Sequence, residues 1–260
     1  MIKFVITPVN LTQLLNHALP TKALVSCPIK FTPLSAKINF LSPSGKLLIL
    51  ADYTESGCYF IDYEANDDYF VFYQKLIKEL KNGFRQSEKV TLWTDKQFVR
   101  IDGEAKDDKI TMPITPFEDE MKVSPFQSIM TDQGLMPTKD GKVLSFNVHC
   151  LISVYLLFKN LPKSRGSSDE FVFSWDGSEL TLFVKTESVL RKRPLTPKKY
   201  VVQGEPLDAY FSMSLVQDLA KQFGGEVWLG IFEGGMVFSQ TNSEYNLTYM
   251  LSAEKVEDGI

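Results

Sequence analysis

A chain of 260 residues with 44% hydrophobic and 23% charged side chains can bury one large core or two ordinary ones, which excludes a disordered or fibrous protein. A net charge of −4 excludes a protein that grips nucleic acid over its whole surface, so any DNA contact has to come from cations gathered on one face. Three scattered cysteines (Cys27, Cys58, Cys150) with no CxxC pair exclude a disulfide framework and a zinc ribbon, and are expected as small buried hydrophobes in a reducing compartment.

Along the first half, a short strand at Phe4 to Thr7 precedes a helical stretch, with Leu11, Leu14, Leu15 and Ala18 at helical spacing, Asn10 as its cap and Pro20 as its stop. From Ile29 to Ile61 the pattern is strand-like, with a turn at Leu41-Ser42-Pro43-Ser44-Gly45. A second helix is expected from Tyr73 to Gly83. Leu76, Ile77 and Leu80 form its apolar stripe, while Lys75, Lys78 and Lys81, followed by Arg85, make a basic face. Strands at Val90 to Trp93, Phe98 to Ile101 and Lys109 to Met112 follow. Pro113, Pro116, Pro125 and Pro137 then punctuate an acidic and apolar stretch, which predicts an extended interdomain connector over 114–141 between domains 1–113 and 142–260.

The second half repeats the plan without repeating the sequence. A helix is expected over Asn147 to Asn160, with Lys159, Lys163 and Arg165 at and beyond its end. A hairpin joins Phe171–Trp175 to Leu180–Val184 through Asp176-Gly177. A basic excursion, Arg191 to Lys199, precedes Tyr200-Val201-Val202. A helix from Met213 to Phe223 carries Lys221 outward, and a hairpin at Glu233-Gly234-Gly235 and a strand from Tyr245 to Leu251 close the chain. Helix, strands, helix, strands, twice over, predicts two α+β domains with sheet on one side and a helix pair on the other. The apolar run 148–161, broken by His149, Ser153, Lys159 and Asn160, is too short to span a bilayer, and Met1 to Pro8 lacks a signal-peptide pattern, so a cytoplasmic or nuclear location is expected.

Catalytic motifs are missing. His17 and His149 have no cysteine or carboxylate partners at ligand spacing; there is no phosphate-binding loop, no GxSxG elbow and no HExxH, and Gly230, Gly234 and Gly235 belong to a hairpin. Asp67-Asp68 and Asp107-Asp108 are expected as solvated turn residues. No cofactor, no metal and no enzymatic activity are expected.

The element order resembles the proliferating cell nuclear antigen (PCNA) type of DNA sliding clamp over essentially the whole chain, as a divergent, archaeal or viral member. Phe40-Leu41-Ser42-Pro43-Ser44-Gly45-Lys46-Leu47-Leu48-Ile49 is similar to the family's strand, "DPS" turn and strand. Val90 to Val123, with Gly103, Met112-Pro113-Ile114 and Glu118-Asp119-Glu120-Met121, resembles the entry into the connector. Tyr210 to Lys221 resembles the helix after a serine cap, and Tyr249-Met250-Leu251-Ser252-Ala253-Glu254-Lys255-Val256-Glu257 the closing "YYLAPKIE". The chain departs from the family in having Ser252-Ala253 in place of Ala-Pro, a longer connector and the basic Arg191–Lys199 stretch.

The resemblance implies a homotrimeric ring of subunits joined edge to edge, sheets outside and helices lining the hole, around duplex DNA read without sequence preference. On that basis Lys75, Lys78, Lys81, Arg85, Lys159, Lys163, Arg165 and Lys221 are expected to face DNA, with His17 and Lys22 as weaker candidates. Polymerase, clamp loader and other partners are expected to insert an apolar and aromatic plug beneath the connector. Leu41 and Leu47 would form the floor, Tyr249, Leu251, Ser252 and Ala253 the tail side, and Phe126, Ile129, Met130 and Leu135 the connector side. Three alternatives stay open: a checkpoint or viral transcription clamp, a viral processivity factor without the closed ring, and an enzyme with an unrecognised site.

Overall fold

The computed structural model describes all residues except 1, 55–59, 66–67, 75–78, 80–83, 85–86, 95–97, 105–108, 114–123, 159–168, 187–189 and 258–260. The described chain is antiparallel sheet with a few short helices, and it divides into two compact units. The first comprises Met1–Pro43, Ile49–Ser124 and Thr241–Leu247; the second comprises Ser44–Leu48, Pro125–Gln240 and Thr248–Ile260.

Unit 1 begins with β1 (Ile2–Ile6) and α1 (Pro8–Ala18). The helix cap is Thr7 rather than Asn10. Thr7 is extended, its Oγ1 accepts the Asn10 N–H at 3.1 Å, and Pro8 takes a first-turn position where a missing N–H breaks no hydrogen bond. Leu11, Leu14, Leu15 and Ala18 are buried, as their spacing predicts. His17 is buried too. Its Nδ1 lies 2.8 Å from Tyr53 Oη, and the Tyr245 ring meets it edge-on at 4.7 Å. The strands are β2 (Ser26–Phe31), β3 (Ser35–Leu41), β4 (Leu47–Thr54), β5 (Asp62–Ala65), β6 (Asp68–Tyr73), β7 (Val90–Thr94), β8 (Phe98–Asp102) and β9 (Lys109–Pro113). They run in the orders β6-β2-β3-β4 and β5-β1-β7-β8-β9. The lysine-bearing helix expected over 73–83 falls almost wholly outside the described residues; strand β6 continues through Tyr73.

Unit 2 contains β10 (Gln127–Thr131), β11 (Gly134–Lys139), β12 (Lys142–Val143), β13 (Val148–Ser153), α2 (Val154–Phe158), β14 (Glu170–Trp175), β15 (Leu180–Lys185) and β16 (Leu190–Leu195). It continues with β17 (Lys199–Gln203), β18 (Leu207–Ser212), α3 (Met213–Ala220), β19 (Glu226–Phe232), β20 (Gly235–Thr241), β21 (Asn246–Ser252) and β22 (Lys255–Glu257). The strand orders are β10-β11-β12, β17-β13-β19-β20-β21 and β16-β15-β14-β18-β22.

Two expectations are corrected here. Residues 148–153 are a strand, not the start of a helix. Val148, Cys150 and Ile152 pair with Ile231, Leu229 and Val227 of β19, and β17 bonds the other edge, so the apolar run is that of a strand flanked on both sides. Residues 127–143 are a folded sheet, not an extended linker. Pro137 stands opposite Ser128, and β12 pairs only Thr138 and Lys139, so the absent proline N–H removes no bond to β12. Asp140 (φ 53°) and Gly141 (φ 74°) close the second hairpin with two left-handed residues, the tight turn that matches strand twist. Arg191 to Leu195, read as an excursion, is the regular strand β16 at a sheet edge, in unbroken register with β15.

Candidate functional site

In unit 2, strand β21 has both faces covered, and its side chains alternate between them. Tyr249 packs edge-on against Phe223, just past α3, with centroids 5.4 Å apart. It therefore points to the helix-bearing face, and Leu251 two residues on points with it. Thr248 points the other way. Its Oγ1 donates to the Leu135 carbonyl of β11 and lies 2.8 Å from Ser239 Oγ of β20, which places the connector sheet on the face opposite the helix. Tyr249 and Leu251 are thus excluded from the connector-facing wall that sequence comparison gives them. Met250, missed by the sequence reading, shares that wall with Thr248 and Ser252.

The tail beyond β21 is fixed by its backbone. Ser252 N–H donates to Lys46 O at 3.0 Å, and its hydroxyl to Gly45 O at 3.3 Å. Ala253 N–H donates to Gly234 O and Glu254 N–H to Tyr210 O, both at 2.8 Å, before β22 pairs with β18. A proline at 253 could not make the Gly234 bond, so this route requires a residue other than proline there. Gly235 lets β20 approach: a Cβ there would stand 2.3 Å from the Leu251 carbonyl and 2.8 Å from the Phe232 ring.

Of the other expected partner-binding residues, Leu47 and Leu135 are buried, Phe126, Leu41 and Ala253 are half-buried, and Ser252 is exposed. Ile129 and Met130 of β10 are 43% and 53% exposed. Within unit 2 the structure therefore brings Ser252 and Ala253 together with the Gly45-Lys46 and Gly234 backbones, and Leu135 onto Thr248 further along β21. Leu41 belongs to unit 1.

Seven of the expected DNA-facing residues, Lys75, Lys78, Lys81, Arg85, Lys159, Lys163 and Arg165, lie outside the described residues. Lys221 is described. It caps α3 with an exposed side chain whose Nζ is 2.7 Å from Asp218 Oδ1. Lys22 is exposed, whereas His17 is corrected to a core residue. Arg191 and Lys192 are exposed on edge strand β16, with Lys192 5.8 Å from the Phe183 ring centroid.

Burial shifts Cys27, Cys150 and His149 toward their neutral forms. Burial pushes the Cys150 thiol up to about 12 and raises Cys27, which makes both poor nucleophiles. His149, on β13 between the rings of Phe146 (4.7 Å) and Trp228 (5.4 Å), is lowered to about 4 by burial. Among the described residues no group of His, Cys, Asp or Glu side chains is arranged to hold a metal, and no helix is long and apolar enough to cross a membrane.

The sequence matches no protein-family model, and no curated protein resembles it. Its fold does have solved counterparts, and it is that of the PCNA-type sliding clamps. It is similar over 98% of its length to A. fulgidus PCNA, whose structure contains the C-terminal region of FEN-1 (99% of that chain, 11% identity, TM-score 0.74). It is equally similar to PCNA from Thermococcus kodakaraensis (98% and 100% covered, 12% identity, TM-score 0.73). A chain of the PCNA2–PCNA3 complex from Sulfolobus tokodaii matches at TM-score 0.71, 12% identity, with 97% and 99% covered.

Proposed function

We propose that this chain is a DNA sliding-clamp subunit, a processivity factor that encircles duplex DNA and tethers a polymerase and other replication and repair proteins. One observation carries the reading: the clamp fold extends over 97–98% of this chain and 99–100% of the clamps it resembles. The protein acts as a scaffold without chemistry of its own. It works as a homotrimer, with clamp domains 1–113 and 142–260 joined by connector 114–141, in the cytoplasm, or in the nucleus if the cell is eukaryotic.

A net charge of −4 fits this function if cations are confined to the DNA-facing side, because an acidic exterior keeps DNA from adhering outside the ring. Lys75, Lys78, Lys81, Arg85, Lys159, Lys163, Arg165 and Lys221 are the proposed phosphate contacts. Charge reversal at Lys78 and Lys81 (K78E/K81E) is expected to lower the slope of log affinity against log salt by about 2 and leave the circular dichroism unchanged. An unaltered slope removes both residues from the interface.

Partners dock on the connector-facing side of the tail, at Ser252 and Ala253, with Ile129, Met130 and Phe126 as the connector contribution. The FEN-1 segment bound to A. fulgidus PCNA is the precedent for such a docked segment. The functional test is primer extension on a primed circle. A clamp raises polymerase processivity there, whereas a checkpoint or transcription clamp of the same fold does not.

A further inference from the structure

Thr248 and Ser239 are fully buried hydroxyl residues, and Leu135, Met136 and Val237 on β11 and β20 are buried as well. Thr248 Oγ1 donates to the Leu135 carbonyl and also lies 2.8 Å from Ser239 Oγ. A hydroxyl carries one hydrogen, so Thr248 shares it between two acceptors, the Leu135 carbonyl and Ser239 Oγ. The result is a three-centre link from β21 to the backbone of β11 and the side chain of β20. Apolar contact between these layers is non-directional and tolerates sliding. A buried hydrogen bond requires near-linear geometry and leaves an unsatisfied carbonyl if it breaks, so it fixes where β11 sits on β21.

We infer that Thr248 is a positioning residue: its buried hydroxyl, acting through the Leu135 carbonyl and held by Ser239, docks the β10-β11-β12 connector sheet and so sets the wall of the partner site. The part of this statement that concerns partners rests on the clamp reading; the part that concerns docking does not. The link is geometric. Thr248, Met250 and Ser252 share one face of β21, and four residues of strand place the hydroxyl about 13 Å from Ser252, within the reach of one bound peptide. Lifting β11 from Thr248 also carries away β10 with Ile129 and Met130, since β10 pairs β11 from Gln127 to Thr131.

The test compares the wild-type chain with Thr248→Val, which keeps the shape and loses the donor, and Thr248→Ser, which keeps the donor. Two quantities are measured: amide hydrogen exchange, and binding of a synthetic peptide of the FEN-1 C-terminal region. In Thr248→Val the amides of 127–143 are expected to exchange about tenfold faster, while those of β13 and β19 hold their rates. Peptide affinity is expected to fall by a similar factor, and Thr248→Ser to behave as wild type.

Wild-type exchange over 127–143 in Thr248→Val overturns the inference. So does acceleration of every amide in the unit together, because that is loss of global stability and not undocking. An opened sheet with unchanged peptide affinity overturns the positioning role at the partner site. If the wild-type chain itself does not bind the peptide, the partner reading fails, and the exchange measurement still decides the docking role.

Discussion

Alanine in place of Trp175 is expected to lower the unfolding free energy of unit 2 by about 3–5 kcal/mol. Trp175 ends β14 with its side chain fully buried, paired across the sheet with Leu180 on one side and Leu207 on the other. Its ring stands 5.6 Å from that of Tyr200, so truncation opens a cavity where β14, β15, β17 and β18 all contribute walls. The indole N–H donates to Gly204 O at 2.9 Å. Gly204 is an exposed residue, so its carbonyl can turn to water, and the lost bond adds little to the cavity term. Phenylalanine keeps most of the apolar volume and is expected to cost roughly half as much. Urea unfolding followed at equilibrium measures both. A loss under about 1 kcal/mol for Trp175→Ala would mean that the site collapses freely and that the packing described here is wrong.

The second large effect is acid sensitivity. His149 has an ordinary value of 6.5 and is lowered to about 4 by burial. Its folded pKa lies below its unfolded one, so the unfolded chain binds more protons between those two values. The stability that depends on a neutral His149 is whole above pH 6.5, falls as the pH drops toward 4, and is lost below it, a total of about 3 kcal/mol. Asp176 does not blur that window. Hydrogen bonds from Glu179 and Ser178 hold its carboxyl below the usual range, so its contribution is lost only at lower pH. His149→Phe is expected to flatten the stability profile between pH 7 and 4.5 relative to wild type. Parallel slopes in the two proteins would show that His149 does not titrate as a buried neutral group.

The residues that form this fold announced some elements and hid others. Leu11, Leu14, Leu15 and Ala18 gave α1 because one face of the helix is apolar, and the Asp176-Gly177 turn between two strand-like runs gave the β14–β15 hairpin. Strand β13 was misread as helix because its alternate residues, Val148 to Ile152, are nearly all apolar, and periodicity then carries no information. The same ambiguity misassigned the tail. Tyr249 and Leu251 meet the helix side while Thr248 and Met250 lie under the connector sheet, so both sets are buried and nothing in the sequence tells one face from the other.

Prolines at 125 and 137 suggested a linker, yet Pro137 sits in β11 opposite Ser128 of β10, at a position that β12 does not reach. Thr248 left no sequence signal. A threonine in a strand is ordinary, and its role depends on a carbonyl more than a hundred residues away. The departure at Ser252-Ala253 is explained only by coordinates, through the hydrogen bond from Ala253 N–H to Gly234.

The clamp reading makes a claim about topology more than about affinity, and retention on DNA of two shapes tests it most directly. The protein is bound to bead-tethered plasmid, washed at high salt, and released by a single restriction cut. An encircling protein stays on the closed circle through the wash and leaves when the DNA is cut. Equal loss from circular and linear DNA during the wash would contradict encirclement and leave a clamp fold that binds DNA, or something else, from one side.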